Sequence, residues 1–309
     1  MIAMMTIAAW LAGVSHVPLP LVEETNAQLV AGSVAPGAED PLTRPLAVER
    51  AKEWLTPLPP EKLFGNSYLV GFGGLSVALI DTGDGLVLVD GALPQAAPAI
   101  LANVRQLGFD PKDIKFILST EPHWDHAGGL AALARDTGAT VVASARGAEG
   151  LRSGRHAEDD PQLGYGGSWP AVTRLRVIGD GEVLKLGKTK IAAVATPGHT
   201  MGSMSWRWQA CAEGNGRATC KTIVFASSLN PVSADGYRFS SKAGAPIVAG
   251  FEASYRKMDA TACDVLISAH PDNAGAGRYN DAPGACRAYV ERSRKKLEKR
   301  LSDEKSGLN

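Results

Sequence analysis

Neither sign of charge is in excess in this sequence: 32 Lys and Arg face 32 Asp and Glu among 309 residues. The balance leaves no basic footprint for nucleic acid and no strong electrostatic steering of a charged partner. Aromatic residues are sparse, yet hydrophobic residues make up 45% and charged residues 21%, a composition that excludes disorder and supplies a large core for one catalytic unit. Beyond the N-terminus, no apolar run is long enough to cross a bilayer, so no membrane partner is expected. No internal repeat stands out, and the absence of a G-x-S-x-G elbow removes the usual signature of a serine hydrolase. Only six histidines and four cysteines occur, and the cysteines lack zinc-ribbon spacing.

The first fourteen residues are apolar over the length of a signal-peptide core but have no Lys or Arg before them. Residues 1–28 are therefore expected to be a signal peptide or leader, with a misassigned start codon as the alternative. Residues 29–45 read as a loosely ordered lead-in and 46–309 as a single domain. The basic run 292–296 reads as the solvated face of a final helix. Four cysteines allow three pairings. Cys211 and Cys220 bracket a turn-rich stretch between two strand-like runs, which favours a bridge at the base of a hairpin; all four cysteines reduced is the alternative.

The most informative stretch runs through Glu121, Pro122, His123, Trp124, Asp125 and His126. It places two imidazoles and two carboxylates directly after the apolar run 114–120, which reads as a buried strand. Such a cluster offers nitrogen and oxygen ligands to adjacent cations and suits zinc. Two further histidines lie in equivalent settings. His199 follows the apolar run 191–195 in a Thr-Pro-Gly-His-Thr turn, and His270 ends a strand-like run just before Pro271. Three strand ends, each about seventy residues from the next, thus offer one set of ligands. His16 and His156, in the leader and in a polar loop, receive no functional role.

Strands are expected at 67–71, 75–81, 86–90, 114–120, 182–186, 188–196, 203–209, 222–226 and 265–268, with a hairpin turn at 81–85. Helices are expected at 94–107, 127–136 and 286–301. Gly128 and Gly129 would let the helix after the histidine cluster sit close beneath a metal site.

The ligand pattern, the Thr-Pro-Gly-His-Thr turn and the Ala-His-Pro end resemble the metallo-β-lactamase superfamily over roughly residues 46–301. The resemblance is closest to subclass B3 zinc β-lactamases. It implies an α/β fold, an αββα sandwich of two mixed β-sheets flanked by helices with metals at one edge. It also implies two zinc ions, the first held by Glu121, His123 and His199 and the second by Asp125, His126 and His270. Most members carry His where this chain has Glu121, and the resemblance extends to the B3-E variant that carries Glu. Two Zn²⁺ with one carboxylate and five imidazoles carry about +3, whereas two carboxylates leave about +2; a harder donor lowers the Lewis acidity of the first ion.

The implied reaction is opening of a β-lactam ring in penicillins, cephalosporins or carbapenems by a metal-bound hydroxide, with Asp125 as the catalytic residue that orients it. The substrate assignment rests on Ser228, which stands where related thioesterases and lactonases carry a metal-bridging Asp. Asn230 would bind the substrate carboxylate, and Trp54 and Trp169 would shape the pocket, the latter from a Gly-rich lid at 162–170; the alternative is that both tryptophans pack against the body. A bridge between Cys263 and Cys286 is similar to one in this family. Export to the periplasm and a monomeric state complete the expectation. The alternatives are a lactonase or thioesterase of the same superfamily, and a non-catalytic metal-binding protein in which Glu121 has emptied one site.

Overall fold

A computed structural model describes residues 40–214 and 217–307. The expected leader, most of the lead-in and His16 lie outside the described residues.

A seven-stranded sheet holds β1 (Glu61–Phe64), β2 (Ser67–Leu69), β3 (Ala78–Asp81), β4 (Leu86–Val89), β5 (Ile114–Leu118), β6 (Thr140–Ala143) and β7 (Leu175–Val177), in that spatial order. The first four strands pair antiparallel, and β4 to β7 run parallel. A five-stranded sheet has the order β12 (Val265–Ser268), β11 (Arg217–Ala226), β10 (Met204–Gly214), β9 (Thr189–Ala195) and β8 (Val183–Leu186). Only its β11–β12 pair is parallel.

Three apolar layers explain the sandwich. Alternate residues of one strand point to opposite faces, so Leu79, Leu88 and Ile117 join an outer layer while Ile80, Val87, Val89 and Leu118 join the layer between the sheets. The outer layer is completed by α2 (Ala97–Gln106), α4 (Leu130–Thr137) and α5 (Ala145–Ser153). On the second sheet, Ile223, Phe225 and Ile267 face inward, and Val224 and Leu266 face α6 (Ala245–Asp259) and α7 (Ala285–Lys305). Burial on both faces is why these strands read as continuous apolar runs rather than as alternating ones. Two inward tryptophans tie the sheets by their indole N–H groups: Trp206 donates to the Ser119 carbonyl at 3.2 Å and Trp208 to Ser67 Oγ at 2.9 Å. The architecture is the αββα sandwich of two mixed sheets that the sequence led us to expect.

Several local expectations change. The helix after the histidine cluster is split into a short α3 (Trp124–Ala127) and α4, which begins at Leu130. Gly128 and Gly129 serve packing against the loop after β4 rather than room for a metal: a Cβ on Gly129 would lie 2.2 Å from the Gly91 carbonyl oxygen, and one on Gly128 2.4 Å from Pro94 Cδ. The helix expected at 94–107 starts with a 3-10 turn at Pro94–Ala96 before α2. A further helix, α1 (Val48–Trp54), precedes β1. Cys211 and Cys220 sit directly opposite each other on β10 and β11 and are bonded, as are Cys263 and Cys286.

The Gly129 contact gives a stability test. Gly129→Ala should cost about 1–3 kcal/mol, because a backbone oxygen cannot yield as a side chain can, and should lower the melting temperature by several degrees in a thermal scan. An unchanged melting temperature would mean that the loop after β4 moves freely.

Candidate metal centre

The centre is built where β4, β5, β9 and β12 end. Asp90, the first residue after β4, adopts a left-handed φ of 65°, a conformation that costs energy for a side-chain-bearing residue. The reward lies in its carboxylate, which accepts the Thr120 N–H at 2.7 Å and the Thr120 hydroxyl at 2.6 Å. These bonds fix the loop between β5 and α3. The Thr120 carbonyl accepts from the Met204 N–H at 2.7 Å, joining the loop to the second sheet.

Six ligand-type side chains converge in two groups: Glu121, His123 and His199, and Asp125, His126 and His270, with the potential ligand atoms of each group within 4.8 Å of one another. All but His270 are buried. Every imidazole is held from behind through one nitrogen. His123 Nε2 meets Asp160 Oδ2 at 2.8 Å, His199 Nδ1 the Asn230 carbonyl at 2.9 Å, His270 Nδ1 the Gly74 carbonyl at 3.1 Å, and His126 Nδ1 lies 3.4 Å from Asp90 Oδ2. Such outward partners set the tautomer and turn the other nitrogen toward the centre.

The donor set fits a divalent metal, and the spacing gives the test. In the second group, His126 Nε2 is 3.1 Å from His270 Nε2 and 3.4 Å from Asp125 Oδ2, and the last two atoms are 3.3 Å apart. A tetrahedral ion with bonds of about 2.0–2.1 Å places its ligand atoms about 3.3 Å apart. With the outward nitrogens engaged, the two facing Nε2 atoms need a proton or a cation between them. Glu121 Oε1 is buried without a hydrogen bond, 3.1 Å from His126 Nε2 and 3.7 Å from His199 Nε2, while Oε2 accepts the Ser228 N–H at 2.9 Å. An orphaned buried carboxylate oxygen facing imidazoles is what a metal ligand leaves when considered alone.

The electrostatics are those of mutual compensation. Burial opposes ionisation of Asp125, but His126 and His270 hold its carboxyl far below the usual carboxylate range. Burial likewise opposes the Glu121 carboxylate, and His199, His126 and His123 outweigh it. For His126, burial favours the neutral ring, yet the carboxylates of Asp125, Glu121 and Asp90 push its pKa up to about 10. His199 goes the other way, burial lowering it more than Glu121 raises it.

The remaining candidates divide. Trp54 of α1 is half-buried beside the second group, its ring 5.8 Å from that of His270 and 5.4 Å from that of Trp124. Ser228 supplies its backbone N–H to Glu121, and its hydroxyl is buried without a partner, as is Asn230 Oδ1. Trp169 does not sit on a lid. It is 4% exposed, belongs to the outer core layer and packs edge-on against His156 at 5.4 Å, because a large indole gains more from burial than from solvent. The exposed side chains of that loop are Leu163 and Tyr165.

His156, to which no role was given, sits in a loop but close to the centre. It is buried, its ring lies 5.0 Å from that of His123, and its Nδ1 lies 3.5 Å from Asp160 Oδ2. Three residues near the ligands escaped the sequence reading: Asp90, Asp160, and Gln162, whose amide Nε2 lies 3.0 Å from His199 Nε2 and 3.4 Å from His123 Nδ1. Asp90 carried a signal, an acid ending an apolar strand, whereas Asp160 and Gln162 sit in a loop with no periodicity to place them.

Residues 61–207 match the family described as the metallo-β-lactamase superfamily. Among solved structures, one characterised as the first B3 metallo-β-lactamase with an active-site glutamic acid is 75% identical to this chain. The match covers 87% of this chain and 99% of that one, with a TM-score of 0.84. The chain belongs to the metallo-β-lactamase superfamily. It is also similar to the Rm3 metallo-β-lactamase, 41% identical over 82% of this chain and 97% of that one, TM-score 0.76. Curated relatives are more distant: protein YobT of Bacillus subtilis (strain 168) is 34% identical over 132 residues, 41% of this chain and 54% of that protein. The chain thus matches about half or less of the length of these curated relatives.

With a pKa near 10 in the metal-free centre, His126 is protonated at pH 7.5 and must lose that proton to bind a cation. Its pairing with the carboxylates stabilises the metal-free fold below its ordinary pKa of 6.5 and is lost as pH rises through about 10. Calorimetric zinc titrations at pH 7.5 in two buffers of different ionisation enthalpy should therefore give different heats, corresponding to about one proton or more released. Equal heats in both buffers would contradict the raised pKa.

Proposed function

We propose that this chain is a zinc-dependent hydrolase that opens the β-lactam ring of penicillins, cephalosporins or carbapenems. The observation that carries the reading is the convergence of two three-ligand groups at one edge of the sandwich, in a chain whose 75% identical neighbour is a B3 metallo-β-lactamase with an active-site glutamic acid. Two zinc ions are assigned, one to Glu121, His123 and His199 and one to Asp125, His126 and His270. Bound there, zinc supplies Lewis acidity and a water that ionises near neutral pH.

The chain's own groups do the positioning. Asp125, its side chain 12% exposed, is the one carboxylate of the centre with an edge toward solvent, and it orients the attacking water. Glu121, fully enclosed, acts as a ligand alone. The Asn230 side chain is assigned to the substrate carboxylate and Trp54 to the substrate's apolar side. Ser228 in place of a bridging carboxylate favours a β-lactam over the thioester or lactone reading. A monomer is assigned as the working unit. Two disulfides support export to an oxidising compartment, the periplasm, where the enzyme would confer antibiotic resistance.

Nitrocefin or imipenem turnover should vanish with a chelator and return with Zn²⁺. Turnover of an acyl lactone or thioester with no β-lactam hydrolysis would replace this assignment, and β-lactam turnover indifferent to chelation would remove the metal from it. Asp125→Asn should lower kcat by about 10²-fold or more, the scale of a lost proton-handling group. Near-parent turnover by that variant would take the orienting role away from Asp125.

A further inference from the structure

Two of the six ligand side chains are oriented by main-chain atoms of one short segment, residues 227–230, which follows β11 without regular secondary structure. The Ser228 N–H donates to Glu121 Oε2, and the Asn230 carbonyl accepts from His199 Nδ1, each at 2.9 Å. The first contact decides which oxygen of Glu121 faces the centre, since occupying Oε2 leaves Oε1 as the free one. A shift of this segment would therefore turn the carboxylate and the imidazole together.

A buried irregular segment needs partners for its own backbone groups. Two buried tyrosines supply them from the helices behind the second sheet. Tyr289 of α7 donates its hydroxyl to the Ser227 carbonyl at 2.9 Å and accepts the Leu229 N–H at 3.2 Å. Tyr255 of α6 donates to the Leu229 carbonyl at 3.1 Å. Both rings are at most 3% exposed, so water does not compete for these bonds. Ser205 Oγ accepts the Ser227 N–H at 3.1 Å from the sheet side. One phenolic hydroxyl thus bridges the residues on either side of Ser228.

We propose that Tyr289, seconded by Tyr255, is a positioning residue for the cation held by Glu121, His123 and His199. Through the 227–230 backbone, it fixes the Glu121 carboxylate for single-oxygen ligation and His199 for ligation through Nε2. The inference rests on the ligand assignment given above. It links a helix distant in sequence to one of the two metal groups and leaves the backing of the other in place, since His126 and His270 are held by Asp90 and Gly74.

The test is the pair of stepwise zinc dissociation constants of the full chain, measured by competition with a fluorescent chelator. Tyr289→Phe keeps the ring and removes the hydroxyl. It should weaken one step about tenfold, the scale for losing a partner behind a ligand, and leave the other within about twofold. In a Glu121→His background, where the Ser228 contact to a carboxylate is gone, the effect of Tyr289→Phe should shrink to about threefold or less.

Equal weakening of both steps, no change in either, or an undiminished effect in the Glu121→His background would overturn the proposal. If Tyr289→Phe does not fold, Tyr255→Phe removes a single bond to the same segment and should weaken the same step by a smaller factor; no selective change would sink the idea equally. Glu121→Ala separates the two levels. Loss of one zinc step in Glu121→Ala but not in Tyr289→Phe rejects only the positioning role, whereas two unchanged steps in Glu121→Ala reject the ligand assignment beneath it.

Discussion

The constraint on which the rest depends is that buried carboxylates and imidazoles can share this pocket only by neutralising one another. Removing a single such charge from water costs several kcal/mol, and Glu121, His123 and His126 have almost no exposure. No ligand is therefore independent: the same His126 that holds down the Asp125 pKa is itself raised by Asp125, Glu121 and Asp90. A cation entering the centre takes over the compensation that a proton provides without it. The strained Asp90 backbone, the glycine contact beneath α4 and the tryptophans between the sheets all keep these groups at distances where the exchange works.

Glu121 sharpens the balance. A carboxylate at this position lowers the formal charge of a two-zinc centre from about +3 to about +2 and brings a desolvation cost that an imidazole would not. Three neighbours offset that cost, His199, His126 and His123, together with one backbone donor at Ser228. The lone Oε1 lies nearer to His126 of the second group than to His199 of its own. Glu121 therefore couples the two groups electrostatically, and any ion bound by one group alters the field on the other.

Legibility in the sequence followed the physics of each element. Chemistry concentrated in six consecutive residues, and His199 and His270 beside breakers at the ends of apolar runs, could be read because ligand type and strand end coincide in one dimension. The sandwich was legible for a similar reason, since strands buried on both faces write themselves as apolar runs. The burial of His156 and Trp169 was not legible, because it comes from tertiary packing of a loop, which leaves no periodic trace. Gly128 and Gly129 were recognised as sites of close approach, but the partner, a carbonyl in the loop after β4, is set by the three-dimensional path alone. The role of Tyr289 was equally hidden, a ring on a long polar helix whose hydroxyl meets a segment about sixty residues earlier.

The two ligand groups lean on different halves of the sandwich. His126 and His270 are backed by Asp90 at the end of β4 and by the carbonyl of Gly74, both in the first-sheet half. Glu121 and His199 are backed by the 227–230 backbone, which extends the second sheet and is held by α6 and α7, and His123 by Asp160 in the long loop after α5. The second group thus rests on the residue that ends β4 and on the turn between β2 and β3, the first on an irregular segment and a loop. Regular pairing resists local opening better than loops do, so the first group is the one whose geometry substitutions far from the ligands can tune.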